Sequence, residues 1–300
     1  MIIVKLTGGL GNQMFQYAAG RRLAEKHSTI LKLDVSGFEV YKLHRYSLHC
    51  FHIWEYLATR NEVEQIMSGS SNHGSSIGKL IKWQRKLMEK LSRKSSNSPH
   101  YITEKYFQFD PNLLNAPNSV ILDGYWQSEK YFTDIKDILR REFVVKYPVD
   151  PLSQQFATKI QNSNAVSLHV RRADYVQDQL TNQIHGTCDQ NYYNQCIQHI
   201  AERVINPHFF IFSDEPAWAR ENLNLPFPKT IVDCNDASRN YEDLRLMSLC
   251  QHHIIANSSF SWWGAWLNNS PQKIVCAPKQ WFKDTSRNTQ DLIPETWVLY

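Results

Sequence analysis

Two adjacent arginines, Arg171 and Arg172, stand in the run His169-Val170-Arg171-Arg172-Ala173-Asp174-Tyr175. Guanidinium groups hold their charge at any physiological pH and bind phosphate oxygens in pairs, so this doublet suits a diphosphate. The plainer alternative is a surface ion pair of Arg172 with Asp174. A second segment, Gly8-Gly9-Leu10-Gly11-Asn12-Gln13, follows an apolar run and precedes a helical pattern. Glycines there let a ligand approach the backbone, and the unpaired N–H groups of a helix start favour an anion. The spacing matches neither GxGxxG nor GxxxxGK[ST], which argues against a dinucleotide, hence against an NAD oxidoreductase, and against ATP; a tight turn without a ligand is the alternative. A third segment, Asn257-Ser258-Ser259-Phe260-Ser261-Trp262-Trp263, offers hydroxyls at another helix start. Plain N-capping by Ser258 or Ser259 is compatible with anion binding. Trp262 and Trp263 read as core rather than as sugar platforms. Asn240-Tyr241-Glu242-Asp243-Leu244 leads into this segment from upstream. The chain contains no DxD triplet, no HExxH and no Cys/His cluster at metal spacing, so arginine is left as the charge compensator for a leaving diphosphate.

The elements that must carry these segments alternate. Ile2–Leu6 reads as a buried strand, Met14–His27 as a helix and Ile30–Leu33 as a second strand. Ser119–Leu122 reads as another strand and Glu129–Phe143 as a helix. Lys146-Tyr147-Pro148-Val149-Asp150-Pro151 reads as a linker, because two prolines three residues apart resist regular structure. Beyond it, strands are expected at Ala165–Val170, Phe209–Phe212, Thr230–Val232, His253–Ala256 and Lys273–Ala277. Helices are expected near Asn191–Val204, Tyr241–Gln251 and Ser259–Leu267. Strand–helix alternation predicts parallel sheets covered on both faces. The expectation is two α/β domains, 1–147 and 148–300. Lys79–Lys94 predicts a basic amphipathic helix inside an insertion at about 76–98, either contacting an anionic membrane surface or presenting a solvated face.

Composition narrows the class. The 300 residues are 42% hydrophobic and 21% charged, an ordinary globular balance. A formal net charge of +4 is too small to argue for nucleic acid. No run of apolar residues is long enough to span a membrane, and Met1-Ile2-Ile3-Val4-Lys5 lacks the form of a secretory signal. Six cysteines without a CxxC fit a cytoplasmic protein with reduced thiols.

Taken together, the chemical segments resemble the bacterial α-1,2-fucosyltransferases. The resemblance lies in Gly8 to Tyr17, in the HxRRxDY run at His169–Tyr175, and in Tyr125-Trp126-Gln127-Ser128, Phe212-Ser213-Asp214-Glu215 and the SSFSWW run. It implies a GT-B-like fold of two facing Rossmann-like domains, with the acceptor on the N-terminal side and GDP-fucose on the C-terminal side. It implies inverting transfer of L-fucose from GDP-β-L-fucose to the 2-hydroxyl of a terminal β-galactose, as in O-antigen biosynthesis, without metal or other cofactor. Carried over by position, Gly9, Gly11, Asn12, Gln13, His169, Arg171, Arg172, Asp243, Ser258 and Ser259 would bind the donor. Arg172 would also act in catalysis, and Asp174, Asp178 and His185 are the candidates for the general base. Departure of the diphosphate with the proton itself stays open. So do an O-fucosyltransferase or another GDP-sugar transferase, and a non-catalytic nucleotide- or glycan-binding protein.

Overall fold

The computed structural model describes residues 1–40, 43–68, 100–172 and 183–300. Asp174, Asp178 and the basic helix expected at Lys79–Lys94 lie outside them. The chain divides into two compact units, Met1–His49 with Ile53–Leu139, and Cys50–His52 with Arg140–Tyr300.

The first unit is built on four parallel strands, β1 (Ile2–Lys5), β2 (Leu31–Asp34), β3 (Tyr101–Thr103) and β4 (Val120–Asp123), in the order β2-β1-β4-β3. Helix α1 (Leu10–Lys26) lies against β1 and β2, and α2 (Arg60–Ser68) turns Ile66 onto Ile3 and Ile121. Sheet hydrogen bonds fix the strand spacing, and full burial of Ile2, Ile3, Val4, Val120, Ile121 and Leu122 gives the sheet its stability. These central strands are apolar on both faces, as parallel strands between helices must be. Gly20 lets α1 approach closely: a Cβ there would meet Val4 and come within 2.9 Å of Leu31 Cδ1.

The second unit holds six parallel strands, β5 (Asn164–Val170), β6 (Pro207–Ser213), β7 (Lys229–Val232), β8 (His252–Ile254), β9 (Val275–Ala277) and β10 (Val298–Leu299), ordered β10-β9-β8-β5-β6-β7. Its helices are α3 (Lys136–Glu142, which straddles the division), α4 (Pro151–Gln161), α5 (Gln190–Ala201), α6 (Pro216–Asn222), α7 (Asn240–Leu249) and α8 (Ser259–Leu267). Strand alternation sorts the core. Val166, Leu168, Phe209 and Ile211 meet Tyr192, Tyr193, Cys196, Ile197 and Ile200 of α5 on one face. On the other, Ala165, Phe210 and Phe212 meet Ala157 and Ile160 of α4 and Leu246 and Met247 of α7.

Two expectations are corrected here. The stretch read as a linker ends in a helix start: Asp150 accepts the Leu152 and Ser153 N–H groups at 3.0 and 3.1 Å, and Pro151 occupies the first helical position, where its missing N–H costs nothing. The helix expected over Glu129–Phe143 is two single 3₁₀ turns, Glu129–Tyr131 and Thr133–Ile135, before α3. Phe132 breaks it with an extended φ of −145°, and the Thr133 hydroxyl bonds back to the Glu129 carbonyl.

Candidate active site

Strand order decides which loops meet. In the second unit the chain leaves β5 toward β6 and β7, then returns to β8 and leaves toward β9 and β10, so neighbours β5 and β8 form a topological switch point. Ligands of open parallel sheets bind in that crevice, at the carboxyl ends of the strands. The loop after β5 begins with Arg171 and Arg172; the loop after β8 carries Asn257 and Ser258 into α8.

The arginines are braced by acids from the end of β6. Arg171 Nη1 lies 3.2 Å from Asp214 Oδ2, and Arg172 Nε donates to Glu215 Oε2 at 3.0 Å. The Arg172 N–H donates to Asp214 Oδ1 at 3.0 Å, and its guanidinium lies 3.9 Å from the Trp218 ring centre. Each arginine thus has one edge fixed. Both side chains are about a quarter exposed, at 27% and 23%, so they are held in place without being sealed off. The alternative of a surface pair of Arg172 with Asp174 involves a residue outside the described ones. Asp214, Glu215 and Trp218 went unassigned in the sequence because they stand more than 40 residues away.

His169 shares a sheet face with Ala165 and Ser167 and is 6% exposed. Its ring lies 5.8 Å from that of Phe260 in the first turn of α8, and its Nδ1 is buried without a hydrogen-bond partner. Burial, reinforced by the Arg171 charge, brings its pKa down to about 3, so the ring is neutral. Ser258 is the residue before α8, yet its hydroxyl makes no capping bond; Ser259 is half-buried in the first turn. Capping by Ser258 is thus ruled out, which leaves its hydroxyl to other use. Trp262 and Trp263 are fully buried, their rings 5.0 Å apart and edge to face, and they are core. Asn257 ties the neighbourhood together: its Nδ2 donates to the carbonyls of His185 at 3.0 Å, Gly186 at 3.2 Å and Trp281 at 3.2 Å. That knot brings His185, whose ring packs 5.3 Å from Phe282, beside the serine loop.

Asp243 sits in the first turn of α7, where its Oδ1 accepts from Asn235 Nδ2 at 2.8 Å. Burial, with Glu242 adjacent, raises its pKa to about 7 against the pull of Asn235 and Arg239.

In the first unit, the loops after the central strands β1 and β4 adjoin. Gly8, at φ +75°, turns the chain, and Gly9 opens α1 with no side-chain cap and no acid in the first turn. Such a helix start is open to an anion. Gly11 is buried in that turn. Gln13 is fully buried, its Nε2 donating to the carbonyls of Gly8 and Arg45 and its Oε1 accepting from Ser47, all at 2.8–2.9 Å. Its amide is engaged by these protein groups and holds the loop in shape. Asn12 accepts from Gln127 of the β4 loop at 2.8 Å. Among the described residues, no group of three or more His, Cys, Asp or Glu is arranged to hold a metal ion, and no helix is long and apolar enough to cross a membrane.

The second unit is thus an α/β fold with a braced arginine pair at the switch point of its parallel sheet. The family model of glycosyl transferase family 11 matches residues 1–300, and the chain belongs to that family. An alpha-1,2-colitosyltransferase of Escherichia coli is 34% identical over 99% of this chain and 98% of its own length. An O-antigen biosynthesis glycosyltransferase of Escherichia coli, WbnK, is 30% identical over 98% of each chain. The galactoside 2-alpha-L-fucosyltransferase SEC1 of Bos taurus is 28% identical over 49% of this chain and 42% of its own. Among solved structures, the NodZ alpha-1,6-fucosyltransferase soaked with GDP-fucose covers 91% of this chain and 94% of its own at 14% identity and a TM-score of 0.46.

Proposed function

We propose that this glycosyltransferase moves L-fucose from GDP-β-L-fucose to the 2-hydroxyl of a terminal β-galactose in an O-antigen-type glycan, with inversion and without a metal. The observation that carries the reading is the brace of Arg171 and Arg172 by Asp214 and Glu215 beside the Ser258–Ser259 loop. In this reading Arg171 and Arg172 take the diphosphate as its charge grows, where fixed donors act without reorganising. Ser258, Ser259 and neutral His169 add contacts to the donor, and Asp243 accepts N–H groups of the guanine. Gly9, Gly11 and Asn12, at the uncapped start of α1, are the further residues assigned to the donor in this reading. Asp174, Asp178 and His185 are the candidates to take the acceptor proton.

A second reading concerns the donor alone and is favoured by the 34% identical colitosyltransferase. Colitose is fucose without its 3-hydroxyl, so the same diphosphate and guanine contacts serve both. The experiment is a mass-spectrometric transfer assay with GDP-fucose and GDP-colitose against lactose and a Galβ1,3GalNAc glycoside. A product heavier by one deoxyhexose supports fucosyl transfer, and one heavier by a dideoxyhexose alone supports colitosyl transfer. GDP binding without either product points to a different acceptor or a non-catalytic role; no binding and no product sinks the reading. Replacing Asp174, Asp178 and His185 singly by Ala assigns the base to whichever loss removes turnover, and to the departing diphosphate if none does.

A further inference from the structure

In the first unit, two central strands end on opposite charges. β1 reads Ile-Ile-Val-Lys and β4 Val-Ile-Leu-Asp, and both are apolar up to their last residue. The strands run parallel with Val4 beside Leu122, so Lys5 and Asp123 come next, side by side at the carboxyl edge of the sheet. Lys5 Nζ donates to Asp123 Oδ2 at 2.8 Å and to the Tyr101 hydroxyl of β3 at 2.9 Å. The Tyr101 hydroxyl in turn donates to the same oxygen, Asp123 Oδ2. Two residues back on the same face, Ile3 and Ile121 are covered by Ile66 of α2.

This triad is closed on one side and open on the other. Two donors converge on Oδ2, while Asp123 Oδ1 has no hydrogen-bond partner among the described residues. The ammonium likewise uses two of its three N–H groups within the triad. The Lys5 and Asp123 side chains are 40% and 34% exposed. Burial lowers the Lys5 pKa, but the bonds to Asp123 and Tyr101 outweigh it and hold the ammonium above its usual range. Burial and then Asp123 push Tyr101 up to about 12, so its hydroxyl keeps the proton that it donates. Folding does not account for the arrangement, because a part-exposed ion pair contributes little to stability.

What remains is one charged acceptor beside one charged donor, with no net charge. Neither an anion nor a cation gains from such a pair. A hydroxyl both donates and accepts, and two neighbouring hydroxyls of a sugar ring match it. We propose that Asp123 and Lys5 form a hydroxyl-binding subsite of the first unit for the acceptor glycan. Asp123 Oδ1 accepts from one sugar hydroxyl and the Lys5 ammonium donates to its neighbour, while Tyr101 holds Oδ2. The proposal deepens the transferase reading and rests on it for the identity of the sugar.

The test is glycoside binding with GDP present and no sugar donor, measured by ligand-observed NMR titration. Lactose and a Galβ1,3GalNAc glycoside are the probes, and glycine is a zwitterionic control. The parent binds a glycoside and not glycine. Asp123→Asn weakens glycoside binding about tenfold or more, as for loss of a charged hydrogen bond, because the amide oxygen takes the place of Oδ2 and a nitrogen replaces the open acceptor. Lys5→Met weakens it by a similar factor. Both raise KM for the glycan in transfer assays and leave GDP affinity and the thermal midpoint unchanged. Glycoside affinity of Asp123→Asn within about twofold of the parent overturns the inference. So does a loss that GDP affinity and the midpoint share, binding of glycine in place of the glycosides, or no glycoside binding by the parent. If Asp123→Asn loses a glycoside that the parent binds, yet the parent turns over neither GDP-fucose nor GDP-colitose, the subsite stands and the transferase reading fails.

Discussion

Arg172 combines a carboxylate partner, an aromatic face and a backbone bond to Asp214 in one place. Lysine could keep the charge but not the planar fork or the stacking. Arg172→Ala is expected to lower kcat by about 10²–10³, the scale for removing a fixed donor to developing charge. Glu215→Gln should cost less, since the guanidinium remains but loses one side of its brace; steady-state transfer kinetics check both. Asp243 gives a pH signature. A carboxyl held near 7 must ionise before it can accept N–H groups of a guanine. GDP affinity, measured by calorimetry, should therefore weaken by up to about tenfold per pH unit as pH falls below 7, and Asp243→Asn should flatten the dependence. Stability carries a second signature. His169, and fully buried His253 with Lys273 and His252 nearby, both have pKa values lowered first of all by burial. Their contribution is whole above the unfolded value of about 6.5 and is lost as pH falls toward the folded ones. Asp243, raised by burial, works in the opposite sense between about 4 and 7. With two histidines against one carboxyl, stability read from urea midpoints should fall as the pH drops below about 6, and a His253→Asn variant should weaken that dependence.

At the scale of elements, several boundaries were legible because their chemistry is local. Ser259–Leu267 begins and ends where its apolar pattern does, and β5 and β6 are apolar runs whose ends fall within two residues of expectation. The start of α4 was misread because Asp-Pro is both a linker signal and a helix-start signal, and only the side-chain bonds of Asp150 decide between them. β3 and α6 escaped notice since three and seven residues are too few to show a period. Packing between α1 and its sheet makes its own prediction. Gly20→Ala should destabilise the protein by about 1–3 kcal/mol through overpacking against Val4 and Leu31, despite alanine's better helix propensity, and thermal melting would show it.

For the molecule as a whole, the proposed chemistry leaves charge compensation to arginine. Transfer in the presence of EDTA should proceed at the rate found without it; a requirement for Mg²⁺ would move the diphosphate contacts from Arg171 and Arg172 to a metal. The sequence by itself determined the class of the protein. Glycines before a helix, paired arginines after a strand and serines at another helix start are local signals, each readable from a few neighbours. Their combination points to the family that the chain belongs to. Tertiary structure alone decided the partners. Asp214 and Glu215 meet the arginines because β6 pairs with β5, the Ser258 loop follows the strand next to theirs because β8 lies on the other side of β5, and Gln127 reaches Asn12 because β4 pairs with β1. Those pairings span 40 to 115 residues, and strand order, which no local pattern encodes, brings them together.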